Sequence, residues 1–448
     1  MSRTRQRVAF GSAVLGGAVF AFPGLAAERE LDEGPAPRSA EEIATPIQRV
    51  FPEEVVRPPF IPWIGKQLQK LPPFFADTQL EARYRTYYLR KDRTTDDLGG
   101  LSEAWAMGGS IYYRSGWLEG LFQAEVEGFT SQPIVAPEDR DGTLLLAPGQ
   151  KGYGVLGIAN AKLRYKGIVL TGYRQYLDLP YVNRRDNRMT PNTFEAVTLA
   201  KPEGDLKFSA GYAWNVKLRD SDEFESFTEA LGLEKDRGLA HAGAVWDPDP
   251  ALHLGAIGGV VPDLFAGLYA ELGFGREFAD GLQGRFDGQF TYQWGIGEDL
   301  GGELLDDTWS LGIRTSTSYV GAVFRMGFSI TGPNAAIFSA YGTNPSYVDL
   351  MQRAFTGADD KALLASVSYD FSALEVSGLS VIVNFVAGFG GQVRGDGQEV
   401  DLTFDYKLKK GWLENFWLRV RGSWLNEEAG DRDGTDFRVI LRYDFPVI

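Results

Sequence analysis

The chain has 448 residues and a formal net charge of -15, with no cysteine and two histidines. Those counts exclude a disulfide framework and a thiolate metal site, argue against nucleic acid as a partner, and leave little imidazole for catalysis. Glycine is abundant, at 54 residues, and aromatics make up 13%, but no apolar run beyond the N-terminus is long enough for a membrane-spanning helix.

The N-terminus carries Arg3, Arg5 and Arg7, then an apolar stretch from Val8 to Phe20, Pro23 and small residues at 24–27. That order predicts a signal peptide over 1–26. Residues 27–76 are acidic and rich in proline, which predicts an extended periplasmic segment with a short helix between Ile61 and Leu71.

From Thr78 onward, 77–448 reads as one unit of eighteen alternating segments. They begin at 78–90 and include 117–130, 398–408, 415–426 and 435–446. Their length suits the roughly 9–11 residues that a tilted strand needs to cross a bilayer. Connections alternate in length. Short ones are Ser115-Gly116, Lys166-Gly167, Pro202-Glu203-Gly204, Asp247 to Pro250, Asp280-Gly281 and Lys410-Gly411; longer ones lie near 131–153, 177–192, 216–237, 295–307 and 331–360. A soluble sandwich has no reason to keep that phase, whereas an outer-membrane barrel has short periplasmic turns and long external loops. The link near 261–263 departs from it, being short where a long one is due. Tyr165, Tyr369, Phe371, Trp412, Tyr443 and Phe445 fall at segment ends, as interfacial girdles require. The predicted fold is an all-β, 18-stranded antiparallel transmembrane β-barrel.

If the apolar faces meet lipid, four segments that are adjacent in a closed barrel turn cations inward. These are Lys407 and Lys409, Arg419 and Arg421, Arg438 and Arg442, and Arg83 and Arg85. A file of guanidinium groups offers a carboxylate successive charge-assisted partners, and several moderate sites in a row allow passage without trapping. The alternative is ordinary lumenal charge balanced by Glu81, Asp401, Asp405 and Asp444. The third segment is expected to turn Glu119, Glu125 and Glu127 inward as an acidic patch. Two long loops are candidates for a constriction. One, 177–192, carries Arg184, Arg185, Asp186 and Arg188; the other, 331–360, carries Tyr341, Tyr347, Asp349 and Arg353.

Several short motifs occur in a specific order. Tyr84-Arg85-Thr86-Tyr87-Tyr88 precedes Arg90 and Asp92, and Glu103-Ala104-Trp105-Ala106 precedes Tyr113-Arg114-Ser115-Gly116. Arg188 to Glu195, Asp359 to Phe371, Leu418-Arg419-Val420-Arg421 and Phe437-Arg438-Val439 follow. Across about 80–448 the chain thereby resembles the OprD-type outer-membrane porins. The resemblance implies an 18-stranded barrel, an eyelet made by inward-folded loops 3 and 7, and a basic ladder guiding small carboxylate solutes such as amino acids, short peptides and organic or aromatic acids. The long proline-rich extension and the Pro446-Val447-Ile448 end depart from the family pattern.

The expected function is therefore passive, selective diffusion across the bacterial outer membrane. Expected partners are outer-membrane lipid and lipopolysaccharide, small anionic or zwitterionic solutes, and the barrel-assembly machinery, with the chain acting as a monomer or weak trimer; no cofactor or metal is expected. A general or sugar-type porin would use lumenal aromatics such as Tyr87, Tyr112 and Tyr173 instead. An outer-membrane hydrolase would need His241 or His253 within reach of a serine, and neither lies in a recognisable motif.

Overall fold

The computed structural model describes residues 61–448 apart from 94–99, 299, 410, 412 and 429–432; the expected signal peptide, most of the proline-rich segment and Trp412 lie outside the described residues. Eighteen long strands form the barrel. The first nine are β1 (Gln79–Arg93), β2 (Leu101–Arg114), β3 (Phe122–Val135), β4 (Tyr153–Tyr165), β5 (Ile168–Gln175), β6 (Thr193–Lys201), β7 (Leu206–Lys217), β8 (Leu239–Asp249) and β9 (Leu252–Val261). The rest are β10 (Phe265–Ala279), β11 (Leu282–Gly295), β12 (Thr308–Tyr319), β13 (Ala322–Thr331), β14 (Lys361–Asp370), β15 (Leu379–Phe389), β16 (Gly397–Lys407), β17 (Phe416–Glu427) and β18 (Gly434–Pro446). Each is antiparallel to its neighbours, and β18 pairs with β1 from Glu81 opposite Pro446 to Arg93 opposite Gly434, which closes the ring.

Strand β12 shows how sequence and solvent select this architecture. Its buried positions are Thr308, Ser310, Gly312, Arg314, Ser316 and Ser318, whereas Leu311 and Ile313 stand 43% and 42% exposed. A water-soluble protein shows the inverse, with leucine inside and arginine outside. In a bilayer it is the stable one, because the apolar face meets lipid and the polar face meets a wet lumen. Phe324, Met326, Leu363, Phe404 and Phe437 extend the same outward belt. No helix among the described residues is long and apolar enough to cross a membrane.

The connections keep the expected phase. Turns that leave even-numbered strands are short, such as 166–167, 250–251, 280–281 and 320–321, whereas 136–152, 176–192, 218–238, 296–307 and 332–360 are long. We number the long-side loops L1 to L9; L5, at 262–264, remains the short one. The first described residues, 61–76, and the C-terminal Val447 and Ile448 share the short-turn end. There, helices α1 (Pro62–Leu68) and α2 (Pro73–Ala76) dock against the barrel rim: Ile61 N donates to the Val447 carbonyl at 3.1 Å, and Gly116 N donates to that of Phe74 at 2.9 Å. Residues 61–76 are thus partly helical and docked rather than extended, because Trp63, Ile64 and Leu68 give a short helical face and Pro62 and Pro73 start each turn. Aromatic pairs Tyr369–Phe371 and Tyr443–Phe445, with centroids 5.0 and 4.0 Å apart, sit at the same rim.

Two residues expected on the lumen wall lie elsewhere. Strand β3 starts at Phe122, so Glu119 is an exposed turn residue; Glu119 and Gly120 have φ of 51° and 71°, the pair of left-handed residues that closes a tight hairpin under the Leu118–Phe122 bridge. Strand β16 ends at Lys407, which leaves Lys409 exposed in the following turn.

Candidate functional site: the lumen wall and its constriction

The alternation of β16, β17, β18 and β1 places Lys407, Arg419, Arg421, Arg438, Arg442, Arg83 and Arg85 on the lumen face. Strand register sets Arg85 opposite Arg442 and Arg421 opposite Arg438. Like charges directly opposed are unfavourable, so the wall needs counter-charge. Asp405 accepts from Arg419 at 2.8 and 3.0 Å, and Asp436 from Arg438 at 2.8 Å to each oxygen. Asp444 is shared by Arg442 at 2.9 Å and Arg83 at 3.1 Å. Arg421 donates through Nε to Thr403 Oγ1 at 3.1 Å. Asp436 and Arg438, like Arg442 and Asp444, are two residues apart on one strand and so share a face. The wall is therefore a row of guanidinium groups, most of them paired with carboxylates, including the Asp405 and Asp444 of the balanced-charge alternative. A guanidinium has five donors and one carboxylate occupies two, so pinning orients the group without exhausting it.

L3 folds inward over this wall. It turns through a two-residue hairpin, Asp178–Leu179 with Val182–Asn183, and Tyr181 at its tip has φ of 65°. Arg184 Nε forks to Asp178 at 2.9 and 3.0 Å, and its guanidinium lies 4.5 Å above the Tyr176 ring. Asp186 accepts from Arg85 at 2.6 and 3.0 Å, which ties the loop to the ladder. Arg188 Nε reaches back to the Thr143 carbonyl of L2 at 2.7 Å. Arg185 stands apart. Its backbone is left-handed, at φ 41°, and its Nε finds no hydrogen-bond partner. A non-glycine residue held there is strained, and strain of this kind concentrates at functional positions.

L7 crosses the lumen. Phe338 exchanges backbone hydrogen bonds with the Gln293 side chain on β11 at 2.8 and 3.1 Å, and Tyr341 donates its hydroxyl to the Phe227 carbonyl of L4. L3 and L7 then meet: Asn192 Nδ2 donates to the Tyr341 carbonyl at 3.1 Å, and Thr343 N donates to Asn183 Oδ1 at 2.9 Å. Only glycine fits at 342, because a Cβ there would stand 2.7 Å from both Asn183 N and the Tyr181 carbonyl oxygen. Past this contact, Gln352 N and Arg353 N donate to the two oxygens of Glu399 at 2.8 and 2.9 Å, and Met351 N donates to Asp401 at 3.2 Å. Arg353 itself is buried between Asp360 at 2.9 Å and Glu427 at 3.3 Å, so it anchors the loop. Tyr347 is buried with the Arg314 guanidinium 4.5 Å from its ring centre.

Asp349 of L7 and Arg185 of L3 face one another electrostatically. Burial pushes the Asp349 carboxyl up to about 7, Arg185 opposing the shift and Asp401 adding to it. Burial likewise lowers the Arg185 guanidinium, with Asp349 and Asp220 opposing it. Both residues are only half-buried, so lumen water tempers these shifts.

The acidic residues of β3 do line the lumen but are engaged. Glu125 accepts from Lys162 at 2.8 Å and Tyr112 at 3.1 Å, and Glu127 from Ser110 at 2.7 Å and Tyr176 at 3.1 Å. Sequence reading missed the counter-wall on β8–β11. There His253 sits between Asp247, 2.6 Å from Nδ1, and Glu271, 2.9 Å from Nε2, and Asp287 holds Arg285 at 2.6 Å and Arg314 at 3.0 Å. The alternation of these strands already encodes those inward positions; which strands face the ladder depends on closure. The other histidine does not build a hydrolytic dyad. His241 Nε2 is 3.4 Å from Ser209 Oγ, at the far limit of a hydrogen bond, and its Nδ1 has no orienting partner.

Residues 72–447 match the family model described as outer membrane porin, OprD family. Porin D of Pseudomonas aeruginosa is 20% identical over 414 residues, which cover 84% of this chain and 92% of that protein. Among solved structures, OccK9 (OpdG) of Pseudomonas aeruginosa has a TM-score of 0.77 at 23% identity, covering 84% of this chain and all of that one. A BenF-like porin of Pseudomonas fluorescens Pf-5 has a TM-score of 0.76 at 20% identity, covering 83% of this chain and 99% of that one. OpdK of Pseudomonas aeruginosa, solved with vanillate, has a TM-score of 0.73 at 22% identity with the same coverages of 83% and 99%. A closed 18-stranded barrel with a lipid-facing apolar belt, matched over nearly its whole length by one family model, is a non-enzymatic channel of the bacterial outer membrane, and the chain belongs to the OprD family of outer-membrane porins.

Proposed function

We propose that the pore passes small carboxylate-bearing solutes by passive diffusion, along the arginine row and through the gap between Arg185 and Asp349. The observation that carries this reading is the placement of Arg83, Arg85, Arg419, Arg421, Arg438 and Arg442 on one lumen wall of a protein whose net charge is -15. Each guanidinium is oriented by an aspartate or a threonine, Asp444 serving two of them, so an incoming carboxylate meets preset donors and does not have to order them. Successive sites of moderate strength let it step forward without being held. At the constriction, the strained Arg185 and the carboxyl of Asp349 offer one positive and one negative group, which suits amino acids and short peptides as well as simple acids. The vanillate in OpdK, a protein of the same fold, is itself an aromatic carboxylate.

Single-channel recording in planar bilayers tests the proposal. The wild type is compared with Arg185→Ala, Arg421→Ala and the triple variant Arg419→Ala/Arg421→Ala/Arg438→Ala, with benzoate and glutamate as blockers and reversal potential as the measure of ion selectivity. We expect a small conductance, carboxylate block, and block weakened roughly tenfold in Arg185→Ala, the loss that about 1.4 kcal/mol of binding produces. A large conductance indifferent to carboxylates and to every substitution would leave a general pore.

A further inference from the structure

The wall opposite the ladder contains a hollow that carboxylate passage does not use. Lumen-facing positions of β8, β9 and β10 include His241, Ile257, Gly259, Gly267 and Tyr269. The L3 tip closes over them and leaves a cavity of about 40 Å³ lined by Leu179, Leu239, Ile257, Phe265, Tyr269 and His241. That volume holds about three water molecules, or the edge of a small ring whose remainder lies in the lumen. The two glycines make the hollow. A Cβ at Gly259 would meet Leu239 at 3.5 Å, and one at Gly267 would meet Gln293 at 3.4 Å. Both are ordinary contacts, and neither residue has a left-handed backbone, so packing does not demand glycine at either position.

Thr291 and Gln293 also belong to the lining, and one lining side chain carries an unsatisfied polar atom. His241 is 5% exposed, and its Nδ1 has no hydrogen-bond partner. His253, on the neighbouring strand, has a carboxylate at each ring nitrogen. An orphaned buried polar atom is costly and marks a place where a partner belongs. Whichever tautomer His241 holds against Ser209, a hydroxyl satisfies its Nδ1, since a hydroxyl both donates and accepts.

We propose that this pocket binds the uncharged end of an amphipathic solute: a small ring or branched hydrocarbon bearing a single hydroxyl. The charged end stays at the L3–L7 constriction, and only that half of the proposal rests on the carboxylate reading above. Arg185 follows the pocket residue Tyr181 by four positions, so L3 contributes to both ends of the site.

With two histidines in the whole chain, side-chain resonances of histidine-labelled full-length protein in detergent micelles test the pocket directly. Phenol is titrated first, then toluene, which lacks the hydroxyl, then ethylene glycol, which lacks the ring. We expect phenol to move the His241 resonances saturably and to leave His253 in place, with toluene at least tenfold weaker and ethylene glycol without effect. Gly259→Val should fill the hollow and abolish the phenol response. His241→Leu serves as a second variant: in single-channel recording it should erase the advantage of 4-hydroxybenzoate over benzoate as a blocker while leaving benzoate block intact. Non-saturating shifts of both histidines, or an unchanged phenol response in Gly259→Val, would overturn the pocket. The two readings separate cleanly. If phenol titrates His241 but no carboxylate blocks the pore, the transport proposal fails and the pocket stands; if benzoate blocks but phenol leaves His241 unmoved, only the pocket fails.

Discussion

The two walls of the lumen are built on the same alternating strands and solve opposite problems. On β17, β18 and β1, arginines oppose arginines, and the wall holds because Asp405, Asp436 and Asp444 are interleaved at hydrogen-bond distance. On β8, β9 and β10, glycine, isoleucine and phenylalanine share the lumen face with one buried charged cluster at His253 and one histidine whose Nδ1 lacks a partner. The first wall is ordered because Arg419, Arg438, Arg442 and Arg83 each meet a carboxylate of the same or an adjacent strand. The second is permissive because side-chain volume is missing. The contrast teaches that in this barrel one wall is ordered by paired charge, and the other is opened by omitted side chains.

The comparison breaks most severely at the ion pairs. Arg419 is 1% exposed, and Asp405 accepts both from it and from Trp417 Nε1 at 2.7 Å. Arg419→Ala should leave that carboxylate buried with one neutral donor and cost about 3–5 kcal/mol, seen as a lower thermal unfolding temperature in detergent. The double variant Arg419→Ala/Asp405→Ala should recover most of the loss. If the single and double variants unfold together, the pair is not what holds this wall.

A second test sharpens the electrostatics at the constriction. The folded-state pKa of Asp349 is raised to about 7 from an ordinary value near 3.8. The folded protein therefore holds a proton that the unfolded chain releases, so this group's contribution to stability is fully present below the ordinary value and is lost as pH rises through about 7. In the channel the same titration adds a negative charge to the eyelet as pH rises. Anion selectivity should increase as pH falls from 8 to 6, and Asp349→Asn should show the low-pH selectivity throughout. A pH step that survives in Asp349→Asn would assign it to another group.

The smallest expected effect lies where L7 is tethered. Tyr341→Phe removes the hydroxyl that meets the Phe227 carbonyl but keeps the ring packed 4.8 Å from that of Phe227. The loss should be about 1 kcal/mol, with more open-channel noise and unchanged ion selectivity. A changed selectivity would mean that Tyr341 lines the path and does not merely hold the loop.

The sequence by itself determined the barrel. Period-two alternation, the short-long phase of the connections and the apolar outward face follow from residues such as Leu311 and Ile313 against Ser310 and Arg314, because strand geometry sends neighbours to opposite sides whatever the rest of the chain does. The inward face of Arg83, Arg85, Arg419, Arg421, Arg438 and Arg442 was legible for the same reason. Strand ends were not. Glu119 and Lys409 continue the alternation on paper, but turn geometry removes them from the wall. Tertiary structure alone decided which charges neutralise which, that Arg353 anchors a loop while Arg185 is held in a left-handed backbone, and that two glycines and a histidine with an unsatisfied Nδ1 meet under the L3 tip. Those facts depend on ring closure and on loops folding back across the lumen. Contacts such as Arg85 with Asp186 and Asn192 with Tyr341 join residues 101 and 149 positions apart, and no local periodicity encodes them.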